Sequence, residues 1–119
     1  MRPSYLRPPQ VAEALSISLD TVHRRIAAGE LPALWLGPRL VRIPARALEP
    51  TAPPVVPWGA PAVGVGQLAD AWQINPRTLH RLAAAGVLPG KLIGGRWSFS
   101  RARLRHAVER LTIGVEQAA

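Results

Sequence analysis

Three polar side chains occur twice at one spacing: His23 and His80, Arg24 and Arg81, Arg39 and Arg96, the later member always fifty-seven positions after the earlier. A guanidinium is a planar fork of donors that suits phosphate oxygens and the guanine edge, and an imidazole can donate or accept a hydrogen bond. The three histidines, at 23, 80 and 106, form no catalytic cluster in the sequence; there is no glycine-rich phosphate loop, no metal-spaced ligand set and no cysteine. These features argue against an enzyme and imply neither cofactor nor metal. Recognition of an anion is the chemistry left. Plainer explanations are a solvated charge at Arg24 and a half-buried, hydrogen-bonded histidine at His23. Long polar side chains on an exposed face add little stability, however, so their repetition is read as functional.

The whole chain supports that reading. Its formal charge is +8, from fifteen basic and seven acidic residues, and Lys91 is the one basic residue that is not Arg. Residues 1–49 carry seven Arg against four acids and residues 62–119 eight basic residues against three acids, so both halves are cationic. An anionic partner is expected to touch both, although a basic composition alone fits a merely soluble protein equally well. No apolar run approaches a bilayer's thickness and MRPSYLRPPQ lacks the apolar core of a signal peptide, so no membrane association and a cytoplasmic location are expected.

The elements that must hold these side chains can be read locally. Ser18 is a helix cap and Gly29 a helix stop, which predicts a helix over 19–28. Val22 and Ile26 would face inward, leaving Asp20, Thr21, His23 and Arg24 outward. Asp20 also suits a first helical turn through the dipole. The second copy, NPRTLHRLAAAGVLP, has Asn75 as cap and Pro76 at the first helical position, and offers Arg77, Thr78, His80 and Arg81. Arg77 replaces Asp20, so the two faces differ in charge. Before each of these helices lies a shorter one. The first, opened by Pro8 and Pro9, should bury Val11, Ala14 and Leu15; the second should bury Leu68, Ala71 and Trp72. After each comes a hairpin, turning at Gly37-Pro38 with Arg39 at its tip and at Gly94-Gly95 with Arg96. Residues 1–7 read as an arm in which Tyr5 or Leu6 caps the core edge. Residues 44–49 read as a helical turn, and Ser100 should cap a last helix burying Leu104, Val108 and Leu111.

Aligned without gaps, residues 10–39 and 67–96 share Gln10, Ala12, Ala14, Ile17, Thr21, His23, Arg24, Ala27, Ala28, Gly29, Leu31, Pro32, Gly37 and Arg39, fourteen of thirty positions. This is an internal duplication. Between the copies, prolines 50, 53, 54, 57 and 61 mark a linker, with Trp58 expected to fold back on a unit. At about 3.1 Å per residue it would reach roughly 35–40 Å, near the ~34 Å of one DNA turn. The expected architecture is mainly α with small β-hairpin wings: a unit at 1–49, a Pro-rich linker at 50–61, and a second unit with a C-terminal helix at 62–119.

Each unit resembles the small winged helix-turn-helix domain of the MerR and phage excisionase superfamily. The resemblance rests on Val11 to Leu15, Ile17-Ser18, Thr21-Val22, Gly29 to Pro32 and Gly37 to Arg39, and on Leu68 to Trp72, Ile74-Asn75, Thr78-Leu79, Gly86 to Pro89 and Gly94 to Arg96. It implies double-stranded DNA as partner. Asp20, Thr21, His23 and Arg24, with Arg77, Thr78, His80 and Arg81, would enter major grooves; Arg39, Arg42 and Arg96 would serve the wings; Arg46, Lys91, Arg101 and Arg103 would meet phosphates. Two roles follow from the resemblance: an excisionase-like recombination directionality factor, whose protein partner would be an integrase, or a small MerR-like transcription regulator, whose partner would be RNA polymerase. Self-association on DNA is compatible with either. A third reading has one unit on DNA and the other on a protein. The chain has no long coiled coil or effector-binding segment after the wing, unlike full MerR regulators.

Overall fold

The computed structural model describes residues 2–114; Met1 and the end of the second expected unit, 115–119, lie outside the described residues. The chain runs β1 (Tyr5–Leu6), α1 (Pro8–Leu15), α2 (Leu19–Ala27), β2 (Ala33–Gly37), β3 (Leu40–Pro44), a 3-10 turn (Ala45–Ala47), β4 (Ala62–Gly64), α3 (Val65–Trp72), α4 (Pro76–Ala84), β5 (Gly90–Ile93), β6 (Arg96–Ser100), α5 (Arg101–Leu111) and β7 (Thr112–Ile113). Helix, helix, strand, strand therefore occurs twice.

Local chemistry sets most boundaries. Ser18 Oγ accepts from the Thr21 amide at 3.1 Å and Asn75 Oδ1 from the Arg77 amide at 2.8 Å, satisfying donors at the starts of α2 and α4. Gly29 and Gly86 stop both helices at φ +76° and +79°, a conformation that costs a residue with a Cβ. The duplicated glutamine is also explained: Gln10 Oε1 accepts from the Arg7 amide and Gln67 Oε1 from the Gly64 amide, capping α1 and α3.

Among the described residues two antiparallel sheets form, in orders β1-β3-β2-β7 and β4-β6-β5. Lys91 pairs with Ser98, Leu92 with Trp97 and Ile93 with Arg96 across the second hairpin. Of the two apolar clusters, one holds Val11, Val22, Ile26, Val41 and Ile43 of the first half. The other joins Tyr5, Leu34 and Leu36 of the first half to Leu68, Trp72, Leu79, Phe99 and Leu104 of the second. Each fully buried side chain of this size contributes about 1.5–3 kcal/mol, so the shared cluster binds the halves together.

Several expectations need correction. Seven strands in two antiparallel sheets among the described residues make the fold mixed α/β, not mainly α. Residues 50–61 form no helix or strand, yet they are not a free tether: Ala52, Val56 and Trp58 are buried, and the Val55 carbonyl accepts from Trp72 Nε1 at 2.9 Å. Trp58 folds back as expected. The arm is a strand, because Tyr5 and Leu6 pair with Pro44 and Ile43, and Tyr5 is wholly buried with its ring edge-on to Trp72. In α1 Val11 is buried but Ala14 and Leu15 are exposed. Their counterparts Ala71 and Trp72 are buried because Tyr5 and the 50–61 segment cover Trp72; among the described residues the matching face of α1 has no such cover.

Candidate nucleic-acid interface

On α2 the amphipathic spacing works as expected. Val22 and Ile26 are buried while Asp20, His23 and Arg24 are exposed and Thr21 is half-buried. The side chains form a chain of contacts. Ser18 and Thr21 share a hydroxyl hydrogen bond of 2.8 Å, Arg24 Nη2 donates to Thr21 Oγ1 at 3.3 Å, and Arg24 Nε lies 3.5 Å from Asp20 Oδ2. Both partners of that ion pair are largely exposed, so it holds Arg24 by no more than about 1 kcal/mol. Arg25, which the sequence reading passed over, is exposed on the same helix. As a further cation in the last turn of a predicted helix, it was there to be found.

On α4 the buried residues are Leu79, Leu82 and Ala83, and Arg77, His80 and Arg81 are exposed with Thr78 half-buried. Arg77 stands where α2 has its acid, and among the described residues Arg81 makes no ion pair. The α4 surface is thus the more cationic and α2 carries a self-neutralised Asp–Arg pair.

The hairpin tips differ in kind from their strands. Arg39 and Arg96 are exposed. Arg42 is not at the wing surface, and its expected role there is corrected. Its Nε donates to the Trp72 carbonyl at 3.0 Å, Nη1 to the Val41 carbonyl at 2.8 Å and Nη2 to the Gln73 carbonyl at 2.7 Å. Half-buried, its guanidinium is pushed to lower pKa by desolvation and then by the charge of Arg7. Arg42 therefore caps the carbonyl end of α3 from the other half. Beside it the Gln10 and Gln73 side-chain amides bond reciprocally at 3.0 and 2.7 Å, a contact no sequence signal announced. Arg46 is exposed but engages the Ala52 carbonyl through Nε at 2.6 Å. Lys91 and Arg103 are exposed; Arg101 is half-buried.

Among the described residues no group of three or more His, Cys, Asp or Glu converges as a metal site, and no helix is long and apolar enough to cross a membrane. What the arrangement offers is two cationic, hydroxyl-bearing helix faces and two Arg-tipped hairpins.

A family model described as a helix-turn-helix domain matches residues 5–49. Over 46 residues the chain is 44% identical to an "Excisionase" of Mycobacterium phage D29, a stretch that covers 39% of this chain and 82% of that relative. The chain belongs to the excisionase-type helix-turn-helix family. No solved structure matches it.

Proposed function

We propose that the chain binds double-stranded DNA through α2 and α4 as an architectural recombination directionality factor, with the duplicated units at 1–49 and 62–119 as two readers. One observation carries the reading: at the same positions of two copies, His23, Arg24, His80 and Arg81 are exposed while Val22, Ile26, Leu79, Leu82 and Ala83 on the other side of each helix are buried. Cations on a helix that ends a helix-turn-helix are placed for guanine edges and phosphates in a major groove. The wing tips Arg39 and Arg96 serve the neighbouring backbone or minor groove. Thr21 and Thr78 add donors for phosphate oxygens, while Asp20 limits how strongly the first helix is drawn to any duplex. The described residues extend 45 Å along their longest axis, enough for two readers to address points about one turn (~34 Å) apart. Packing of the halves, rather than a tether, then fixes their spacing.

The role in recombination takes its support from kinship with a phage excisionase. An integrase is the protein partner that role requires. The test is fluorescence anisotropy of the full chain on duplexes from the phage attachment region and on scrambled duplexes, with Arg24→Ala and Arg81→Ala alongside. Preference for the attachment DNA, weakened by about 1–3 kcal/mol in each variant, supports the reading. Equal binding to scrambled DNA together with indifference to both substitutions overturns it.

A further inference from the structure

We propose that the outer face of the β4-β6-β5 sheet docks an acidic, extended segment of a partner protein, added along the open edge of β5. This goes beyond the DNA reading and rests on comparing the same face in the two copies.

In the first copy that face is a docking face already. Leu34, Leu36 and Arg42 point from the β2-β3 hairpin into the second half, the two leucines joining the shared apolar cluster and Arg42 holding the carbonyls of Trp72 and Gln73. In the second copy Leu34 is replaced by Lys91 and Leu36 by Ile93, and, since the second copy is one residue shorter after the hairpin turn so that Ile43 matches Phe99, Arg42 is replaced by Ser98. Lys91 is exposed and Ile93 is 60% exposed, so among the described residues nothing covers them. The face has kept its position and changed its chemistry.

What it has become is a groove of about 400 Å³ across the sheet, walled by Lys91, Ile93, Ser98, Ser100, Arg103 and Pro89 among others. None of its lining residues is acidic. Arg96 pairs with Ile93 at the turn but does not line the groove, and it stays with the duplex as a wing tip. Lys91 on β5 and Arg103 just past the end of β6 both line the groove, so two cations stand on this face without a compensating acid. An extended segment with acids at every second residue presents them on one side, toward these cations.

Two observations favour a peptide over a duplex. β5 is an edge strand of the sheet, so its far side presents N–H and C=O groups of the kind an added strand uses. The reading helix α4 lies on the opposite face: Gly90 approaches Ala83 of α4 together with Trp97 and Phe99, leaving no room there for a Cβ. DNA held by α4 therefore leaves the groove open.

The experiment titrates the full chain with a short synthetic peptide alternating Glu and Val, using the Lys/Val version as control, and follows backbone amide shifts by NMR. Shifts confined to Gly90–Ile93 and their β6 neighbours, with the Glu peptide and not the Lys peptide, are expected. In a Lys91→Gln, Arg103→Gln double variant, whose folding is checked by thermal melting, peptide affinity should fall about tenfold, a larger factor than the loss of affinity for a duplex. The proposal is overturned if β5 does not respond, if the double variant binds the peptide as well as the parent, or if it loses DNA affinity more than peptide affinity. In that last case the groove belongs to the duplex. Because duplex affinity is read separately, failure here leaves the DNA reading standing.

Discussion

Arg42 donates to the carbonyl oxygen of Gln73 at 2.7 Å, so the first hairpin clamps the end of the second copy's first helix. Gln73 has φ +53°, a left-handed residue that ends α3 and turns the Trp72 and Gln73 carbonyls outward. The guanidinium reaches both. Arg42→Ala would strand two half-buried carbonyls and is expected to cost about 2–3 kcal/mol, since hydrogen bonds to charged groups are the stronger kind. Melting should fall by roughly 10 °C, and Arg42→Lys should recover part of that, because a point charge cannot copy the fork. DNA affinity measured well below the melting temperature should change little. A variant that melts like the parent but binds DNA weakly would return Arg42 to the wing.

That clamp also marks where the sequence stopped being legible. Helix caps at Ser18, Asn75 and Ser100, stops at Gly29 and Gly86, and both hairpin turns follow from neighbours within a few residues, and they are where the sequence put them. Exposure of His23, Arg24, His80 and Arg81 follows from the same helical period. Pairings of distant segments do not: β1 with β3, β7 with β2, and Arg42 with α3 carry no local signature. Proline density at 50–61 correctly excluded regular structure, but it was blind to burial, which Ala52, Val56 and Trp58 decide. Leu15 differs for a related reason, since its periodicity fits an inner face but nothing among the described residues covers it.

Ser16 ends α1 in the left-handed region at φ +56° and is exposed. A Cβ there costs on the order of 1 kcal/mol, whereas glycine adds unfolded-state entropy of about half that or more. Ser16→Gly should therefore be neutral to stabilising by about 0.5 kcal/mol, and Ser16→Val destabilising by about 1–2 kcal/mol. Urea midpoints for the two variants check this. Equal midpoints would mean that the turn tolerates the conformation without strain.

Asp20 sits 3.5 Å from Arg24 on the exposed face of α2, and Arg77 fills its place on α4. Removing the acid frees the guanidinium and deletes a charge that repels phosphate. Asp20→Asn is expected to raise affinity for any duplex by about three- to tenfold, at a stability loss of a few tenths of a kcal/mol from the helix dipole. Preference between attachment-site and scrambled DNA should stay about the same, because the gain is not sequence-specific. Anisotropy titrations of both duplexes decide it, and unchanged affinity for both would remove Asp20 from the interface.

The salt dependence of binding follows from which cations remain free. Arg42 is committed to carbonyls of α3 and Arg46 to the Ala52 carbonyl, which leaves Arg24, Arg39, Arg77, Arg81, Lys91, Arg96 and Arg103 as exposed candidates from the sequence reading. If the outer sheet face is turned from the duplex, Lys91 and Arg103 drop out and about five phosphate contacts remain. A slope near −0.9 per contact then gives a loss of on the order of 10²–10³ in affinity between 50 and 200 mM salt. Arg81→Ala should reduce the slope by about one contact and Lys91→Ala should leave it alone. A slope that flattens with Lys91→Ala would place the second wing's outer face on DNA, and a binding constant indifferent to salt would show that the exposed arginines do not meet phosphate at all.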